Sequence, residues 1–313
     1  MANFTTWNFT NTIKDVQPAI KDESQNVFSV IFIITNIIIN STACPFTVGL
    51  NVLVIIALKR RPSLRSNANV MLAYLAVTDV LTGLTSQPFL IVWNISLLVG
   101  NEETFGIMLE FHVFCFGLLA RSSCLHLMTV VFERLVAIKF PYRYPYVLTK
   151  SNIKSAVFFC WIYSALCCTG LFLIDTSSSL YSILASHVPI ACVIFVSSSY
   201  AVLFSETRRH QKMIKSQSLR HEDVERFLKE SKALKTTVLV VAAVGLCFLP
   251  GALFLALRKF LSQFENKIHL VKEMTRTLLL INSLLNPLIY CWRQREMRKF
   301  TLKPLWQTVN PTE

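Results

Sequence analysis

Six residues able to hold a cation or a hydrogen-bond network sit inside runs of chain that are otherwise apolar: Asn51, Asp79, Ser123, Asn282, Ser283 and Asn286. One carboxylate with neutral oxygen donors suits a small hydrated cation, and equally a hydrogen-bonded structural knot. Sequence alone leaves both open. Further along, Glu133 precedes Arg134, and Glu230 is a second acid able to pair with that arginine. An arginine that exchanges acidic partners is a local electrostatic change able to bias a two-state helix pair. The alternative is an interfacial arginine whose guanidinium snorkels to water. Pro250 and Pro287 free a backbone carbonyl or kink any helix that contains them.

The elements that must position these groups are long apolar helices. The chain has 313 residues, 53% hydrophobic and 16% charged, against about 25% charged in ordinary soluble domains. The apolar runs fall at 28–58, 70–93, 105–138, 156–174, 180–204, 233–257 and 268–292. Each has the roughly 20 residues that span a 30 Å hydrocarbon core. An ionisable group there costs about 2.5–3.5 kcal/mol on insertion scales, which makes each one a functional candidate. A soluble helical protein would show a polar face on most helices, and 237–257 has none.

Charge orients the bundle. The segments 59–69, 139–155, 206–235 and 293–313 carry 22 Lys and Arg, and the alternate set carries 6. The positive-inside bias places the N-terminus outside and the C-terminus in the cytoplasm. The net charge of +13 is scattered over those loops; it fits anionic inner-leaflet lipid and not nucleic acid. The expected organisation is an extracellular tail over 1–27, glycosylated at Asn3 and Asn8, a seven-span domain over 28–292, an amphipathic surface helix over 293–303 and a short cytoplasmic tail over 304–313. Asn40 and Asn94 also head glycosylation triplets. No signal segment precedes the tail, so the first span is expected to act as the insertion signal. The nine cysteines lie in or beside apolar runs, which reads as buried packing thiols with no disulfide.

Taken together, these residues resemble the rhodopsin-like G-protein-coupled receptor family over about 28–303. The resemblance rests on Leu50-Asn51-Val52-Leu53-Val54, Leu75-Ala76-Val77-Thr78-Asp79, Glu133-Arg134-Leu135, Trp161, Cys247-Phe248-Leu249-Pro250 and Asn286-Pro287-Leu288-Ile289-Tyr290. It implies an all-α membrane fold of seven transmembrane helices at the plasma membrane. It also implies an extracellular ligand, an intracellular heterotrimeric G protein as partner, and no enzymatic activity. Carried over residue by residue, Arg134 would meet the G protein when active and Glu133 or Glu230 when inactive. Tyr200 and Tyr290 would move inward. Asp79, Ser123, Asn282 and Asn286 would form an allosteric sodium pocket, with no other cofactor implied. Phe248 would sit beneath the ligand.

The departures also inform. Leu109 stands where the family places the helix-three cysteine of its usual disulfide, and the loop at 175–179 has no cysteine and little length. Both features are similar to the melanocortin, cannabinoid, lysophospholipid and adenosine branch, most of all the melanocortin receptors. Phe116 replaces the aspartate of amine receptors and Leu280 the retinal-linking lysine. The pocket candidates are Glu110, His112, Phe116, Arg121, His187, Phe248 and Arg276, a mixed set suited to an anionic lipid or a small peptide. Pairing of Arg276 with Glu110 at the rim is the alternative. His126 reads as a core histidine. A seven-span transporter or channel would need an internal repeat, and none is seen. A receptor-like protein that no longer signals is the other alternative, against which Arg134, Asn286, Pro287 and Tyr290 are intact.

Overall fold

A computed structural model describes residues 27–61, 66–174, 178–216, 243, 245–251, 253 and 265–293. Helix α1 (Val27–Arg60) is followed by α2 (Asn67–Leu81), a five-residue π-helical turn (Thr82–Ser86) and α3 (Gln87–Val99). The π turn keeps α2 and α3 continuous, and the three together form the second span. Helix α4 (Glu102–Lys139) is the third span, α5 (Tyr144–Val147) a single turn, α6 (Lys150–Phe172) the fourth span and α7 (Ser179–Ser216) the fifth. Ala243, 245–251 and Leu253 are helical in the sixth, and α8 (Glu265–Arg293) is the seventh.

Local chemistry sets the ends. The Ser66 and Thr149 hydroxyls and the Asn101 amide oxygen accept the backbone N–H of Asn69, Asn152 and Thr104, capping α2, α6 and α4. Each side chain satisfies a donor that the first helical turn leaves open. Helix α3 stops at Gly100, whose φ of 75° lies in the left-handed region open to glycine. Pro189 and Pro287 lie inside α7 and α8 without ending them.

Helix α4 is the central post, packed by α2, α3, α6 and α7, while α1 packs on α2, α3 and α8. The radial polarity is inverted relative to a soluble protein. Phe46, Phe158, Phe159, Leu166 and Ile194 are exposed on the outside, and Asn51, Asp79, Asn282 and Asn286 are buried within. Hydrocarbon solvates the outer rings, and only the interior offers hydrogen-bond partners. Among the described residues five helices, at 29–60, 67–99, 106–139, 150–171 and 183–206, are long and apolar enough to cross a membrane. The fold is an all-helical membrane bundle.

The π turn lies against α1. A Cβ on Gly83 would stand 2.7 Å from Val48 Cγ2, so the close approach of α1 at this turn needs a glycine there. The Cys44 thiol donates to the Gly83 carbonyl at 3.1 Å. Wide turns of this kind redirect the side chains that follow. Here Ser86 and Gln87 both end fully buried.

The expected extracellular tail with Asn3 and Asn8, Glu230 and the expected surface helix after Arg293 lie outside the described residues. Asn40 and Asn94 do not: both are buried and donate to the carbonyls one turn earlier, Asn36 and Leu90, at 2.9 Å. Asn40 also reaches Thr277, whose hydroxyl donates to Asn36 at 2.9 Å. A side chain used inside a helix bundle is closed to glycosylation, so these two triplets are structural.

Candidate functional site

The bundle holds two polar assemblies. The first is at the end carrying Arg134. Glu133 is 2% exposed and Arg134 27%. The arginine Nε lies 3.2 Å from Glu133 Oε2, an ion pair without the alignment of a hydrogen bond. The other carboxylate oxygen accepts from the Tyr144 hydroxyl at 2.8 Å. Tyr144 reaches it because the chain turns tightly after α4, with the Tyr144 N–H on the Phe140 carbonyl and Pro145 in the first turn of α5. The far end of α5 is tied down in turn, where Asn67 Nδ2 donates to the Leu148 carbonyl at 2.7 Å. Burial first, and then the neighbouring Glu133 charge, push the Tyr144 phenol up to about 12. It therefore remains a donor at every ordinary pH.

Tyr144 was not among the sequence candidates. The signal lay in the Pro141-Tyr142-Arg143-Tyr144-Pro145 run, whose proline can open a helical turn, but nothing in the sequence selects Tyr144 over Tyr142. The structure does: Tyr142 is 91% exposed. Tyr200 stacks toward Phe204 with ring centroids 6.1 Å apart, and Arg208 caps Phe204 at 4.3 Å. Pro287 and Phe248 are buried while Pro250 faces outward. Tyr290 belongs to α8, with its side chain outside the described residues.

The second assembly lies mid-span. Asn286 Nδ2 donates to Asp79 Oδ2 at 2.9 Å, joining the second and seventh spans. Asn51 Nδ2 donates to the carbonyls of Thr47 at 2.9 Å and Ser283 at 3.0 Å, joining the first and seventh. Three buried oxygens in this group have no hydrogen-bond donor: Asp79 Oδ1, Asn282 Oδ1 and Asn286 Oδ1. Buried polar atoms are seldom left so. One formal negative charge with neutral oxygens fits a small hard cation. Among the described residues no cluster of histidine, cysteine and acidic side chains offers a transition-metal set. His126 is buried with Nδ1 2.7 Å from the Ser122 carbonyl and its ring edge-on to Trp161, a packing role.

A small cavity opens just beyond this group, lined by Thr82, Ser86, Phe116, Ser123, Phe248 and Ser283 together with Leu119, Ala120, Leu279 and Leu280. Of the seven pocket candidates, Phe116 and Phe248 line it. His112 lies beside it, fully buried, bonded at Nδ1 to the Ser86 carbonyl (3.1 Å) and stacked between Trp93 and Phe116. Arg276 caps the Trp93 ring at 5.2 Å. Glu110 is exposed on α4. Arg121 turns from the cavity toward α6, because α4 carries 117 and 121 on a face other than that of 116, 119, 120 and 123, and His187, on α7, bonds Tyr163 of α6.

Comparison with known proteins adds the lineage. The sequence model of the seven-transmembrane receptor (rhodopsin family) matches residues 50–290. The adenosine receptor A2a of dog is 25% identical over 281 residues, covering 80% of this chain and 66% of the receptor. The trace amine-associated receptor 3 of rat is 29% identical over 153 residues, 49% of this chain and 43% of the receptor. The human trace amine-associated receptor 2 is 26% identical over 285 residues, 82% and 79%. The chain thus spans just under two thirds and under half of the first two relatives.

Proposed function

The chain belongs to the rhodopsin family of seven-transmembrane receptors, and on that premise we propose that it transduces binding of an extracellular ligand into activation of an intracellular heterotrimeric G protein at the plasma membrane. The observation that carries the reading is the buried Glu133, which shares its carboxylate between Arg134 and Tyr144. The Arg134 end, rich in Lys and Arg, is the cytoplasmic one. Releasing Arg134 from Glu133 frees a guanidinium to meet the G protein, and Glu230 would be its second inactive-state partner. Outward movement of the sixth span, pivoting at Pro250, opens the surface. Tyr200, Tyr290, Asn286 and Pro287 accompany that movement.

The cavity supports a ligand of low charge. Among the described residues the ten that line it include no ionisable side chain, and Phe116 offers no counter-ion to an amine. This favours a lipid over a charged peptide. Phe248 is the lining ring that joins the cavity to the sixth span.

Asp79, Asn282 and Asn286 would hold a sodium ion through the three buried oxygens that lack donors, with Ser123 across the cavity wall. The ion would neutralise the carboxylate and favour the state in which the second and seventh spans stay close. Its effect on ligand affinity follows from its differential affinity for the two states.

The test is basal G-protein dissociation across a panel of G-protein classes in cells, for wild type, Arg134→Ala and Glu230→Ala at equal surface expression. Wild type signals in one class, Arg134→Ala is silent and Glu230→Ala signals more. Equal signalling by wild type and Arg134→Ala would overturn the reading.

A further inference from the structure

Arg121 is a cation near the middle of the third span, fifteen residues from Gly106 and eighteen from Lys139. It is 94% buried, since its exposure is 6%. Its Nη1 donates to the Gly117 carbonyl at 2.9 Å, and its Nε has no hydrogen-bond partner. No carboxylate among the described residues pairs with it. Gly117 is what admits the guanidinium: a Cβ there would stand 2.9 Å from Arg121 Nη1 and 3.3 Å from Cys168 Sγ. Beside it, within electrostatic reach, is Tyr163 on α6, whose hydroxyl lies 2.7 Å from His187 Nε2 on α7. That tyrosine is 45% exposed, so the pair faces the hydrocarbon.

Arg121 thus faces α6 beside Gly117 and Cys168, and Tyr163 of the same helix is tied to His187 of α7. Helix α6 exposes Phe158, Phe159, Ile162 and Leu166, and α7 exposes Ile183. Helices α6 and α7 each pack on α4 more extensively than on each other. A buried unpaired guanidinium costs several kcal/mol, whereas His187 is satisfied at both ring nitrogens, by Tyr163 and by the Leu184 carbonyl. The cost persists unless a matching group arrives.

We infer that the seam between α6 and α7 beside Arg121 is a lateral binding site for a membrane-dissolved carboxylate amphiphile of the long-chain fatty-acid class. Its headgroup pairs with Arg121 beside Tyr163 and His187, and its chain lies along the apolar faces of α6 and α7. The planar guanidinium edge matches a carboxylate. Depth excludes a phospholipid headgroup, whose phosphate stays about 15 Å away at the edge of a 30 Å core. A single-chain acid reaches mid-depth. The site is separate from the uncharged cavity at Phe116 and Phe248, and it does not depend on G-protein coupling.

The experiment uses the full chain in phosphatidylcholine nanodiscs with a diazirine-bearing hexadecanoic acid, and mass spectrometry locates the crosslink. Label is expected on 158–166 or 183–194. Hexadecanoic acid should compete it about tenfold better than hexadecanol, the factor expected of one charge-assisted contact. Arg121→Gln should take about tenfold less label. Absent label, label elsewhere, equal competition by hexadecanol, or competition by lysophosphatidic acid as strong as by the acid would each overturn the site. If Arg121→Gln does not fold, the acid-against-alcohol comparison on wild type decides alone.

Discussion

The Tyr144 hydroxyl donates to Glu133 Oε1 at 2.8 Å while Arg134 holds the other oxygen of the same carboxylate at 3.2 Å. A buried acid is thereby shared between a loop turn and the residue that follows it in α4. Whatever pulls Tyr144 away leaves Glu133 to Arg134 alone, and whatever pulls Arg134 away leaves Tyr144 to hold the acid.

Tyr144→Phe deletes one of the two contacts and keeps the ring. Losing a hydrogen bond to a charged, buried group costs about 1.5–3 kcal/mol. The variant should lower the thermal unfolding temperature of the purified receptor and raise basal G-protein dissociation at matched surface expression. An unchanged value for both would remove the turn from the switch.

The phenol itself makes a pH prediction. Its folded pKa is about 12, above the usual value near 10, so the folded state binds the proton more tightly. The contribution is complete below about pH 10 and is lost as pH rises through about 12. Difference absorbance between wild type and Tyr144→Phe should show no phenolate from this residue at pH 9. A phenolate signal there would contradict the burial of the hydroxyl.

Sodium should stabilise the purified chain relative to choline at equal ionic strength. At ten times its dissociation constant a ligand that binds only the folded state contributes about 1.4 kcal/mol. Asp79→Asn keeps the shape and removes the charge, and should abolish the sodium-dependent shift in unfolding temperature. A shift that survives in Asp79→Asn would place the ion elsewhere.

Gly83→Ala should destabilise by about 1–3 kcal/mol through overpacking, because the added Cβ meets Val48 Cγ2 at 2.7 Å. Val48→Ala in the same chain should recover part of that loss. Thermal unfolding of both single variants and the double variant measures the coupling, and strict additivity would mean the two side chains do not meet.

Glycan occupancy separates the four triplets. Asn3→Gln with Asn8→Gln should remove the whole mass shift released by peptide-N-glycosidase. Asn40→Gln and Asn94→Gln should leave it unchanged, since both side chains are used within the bundle. Gel mobility before and after the enzyme is the readout.

Apolar runs of the right length determined the membrane bundle from sequence alone, because a helix that hides its own backbone groups is the one way such a run can cross hydrocarbon. The family too was legible, since Asn51, Asp79, Arg134 and the Asn286–Tyr290 segment occur in order on successive runs. What the sequence could not determine was rotation about each helix axis. Asp79 and Asn286 are 207 residues apart, and only packing shows that they bond. Arg121, His187 and Phe116 read alike as pocket residues on paper. Only the packed helices decide that Phe116 turns to the cavity while Arg121 turns toward α6. Tyr144 was invisible for the same reason, because its partner is selected by the tight turn after α4 and by the Asn67 tie to Leu148. Periodicity fixes which residues share a face, and it takes the neighbouring helices to say what that face meets.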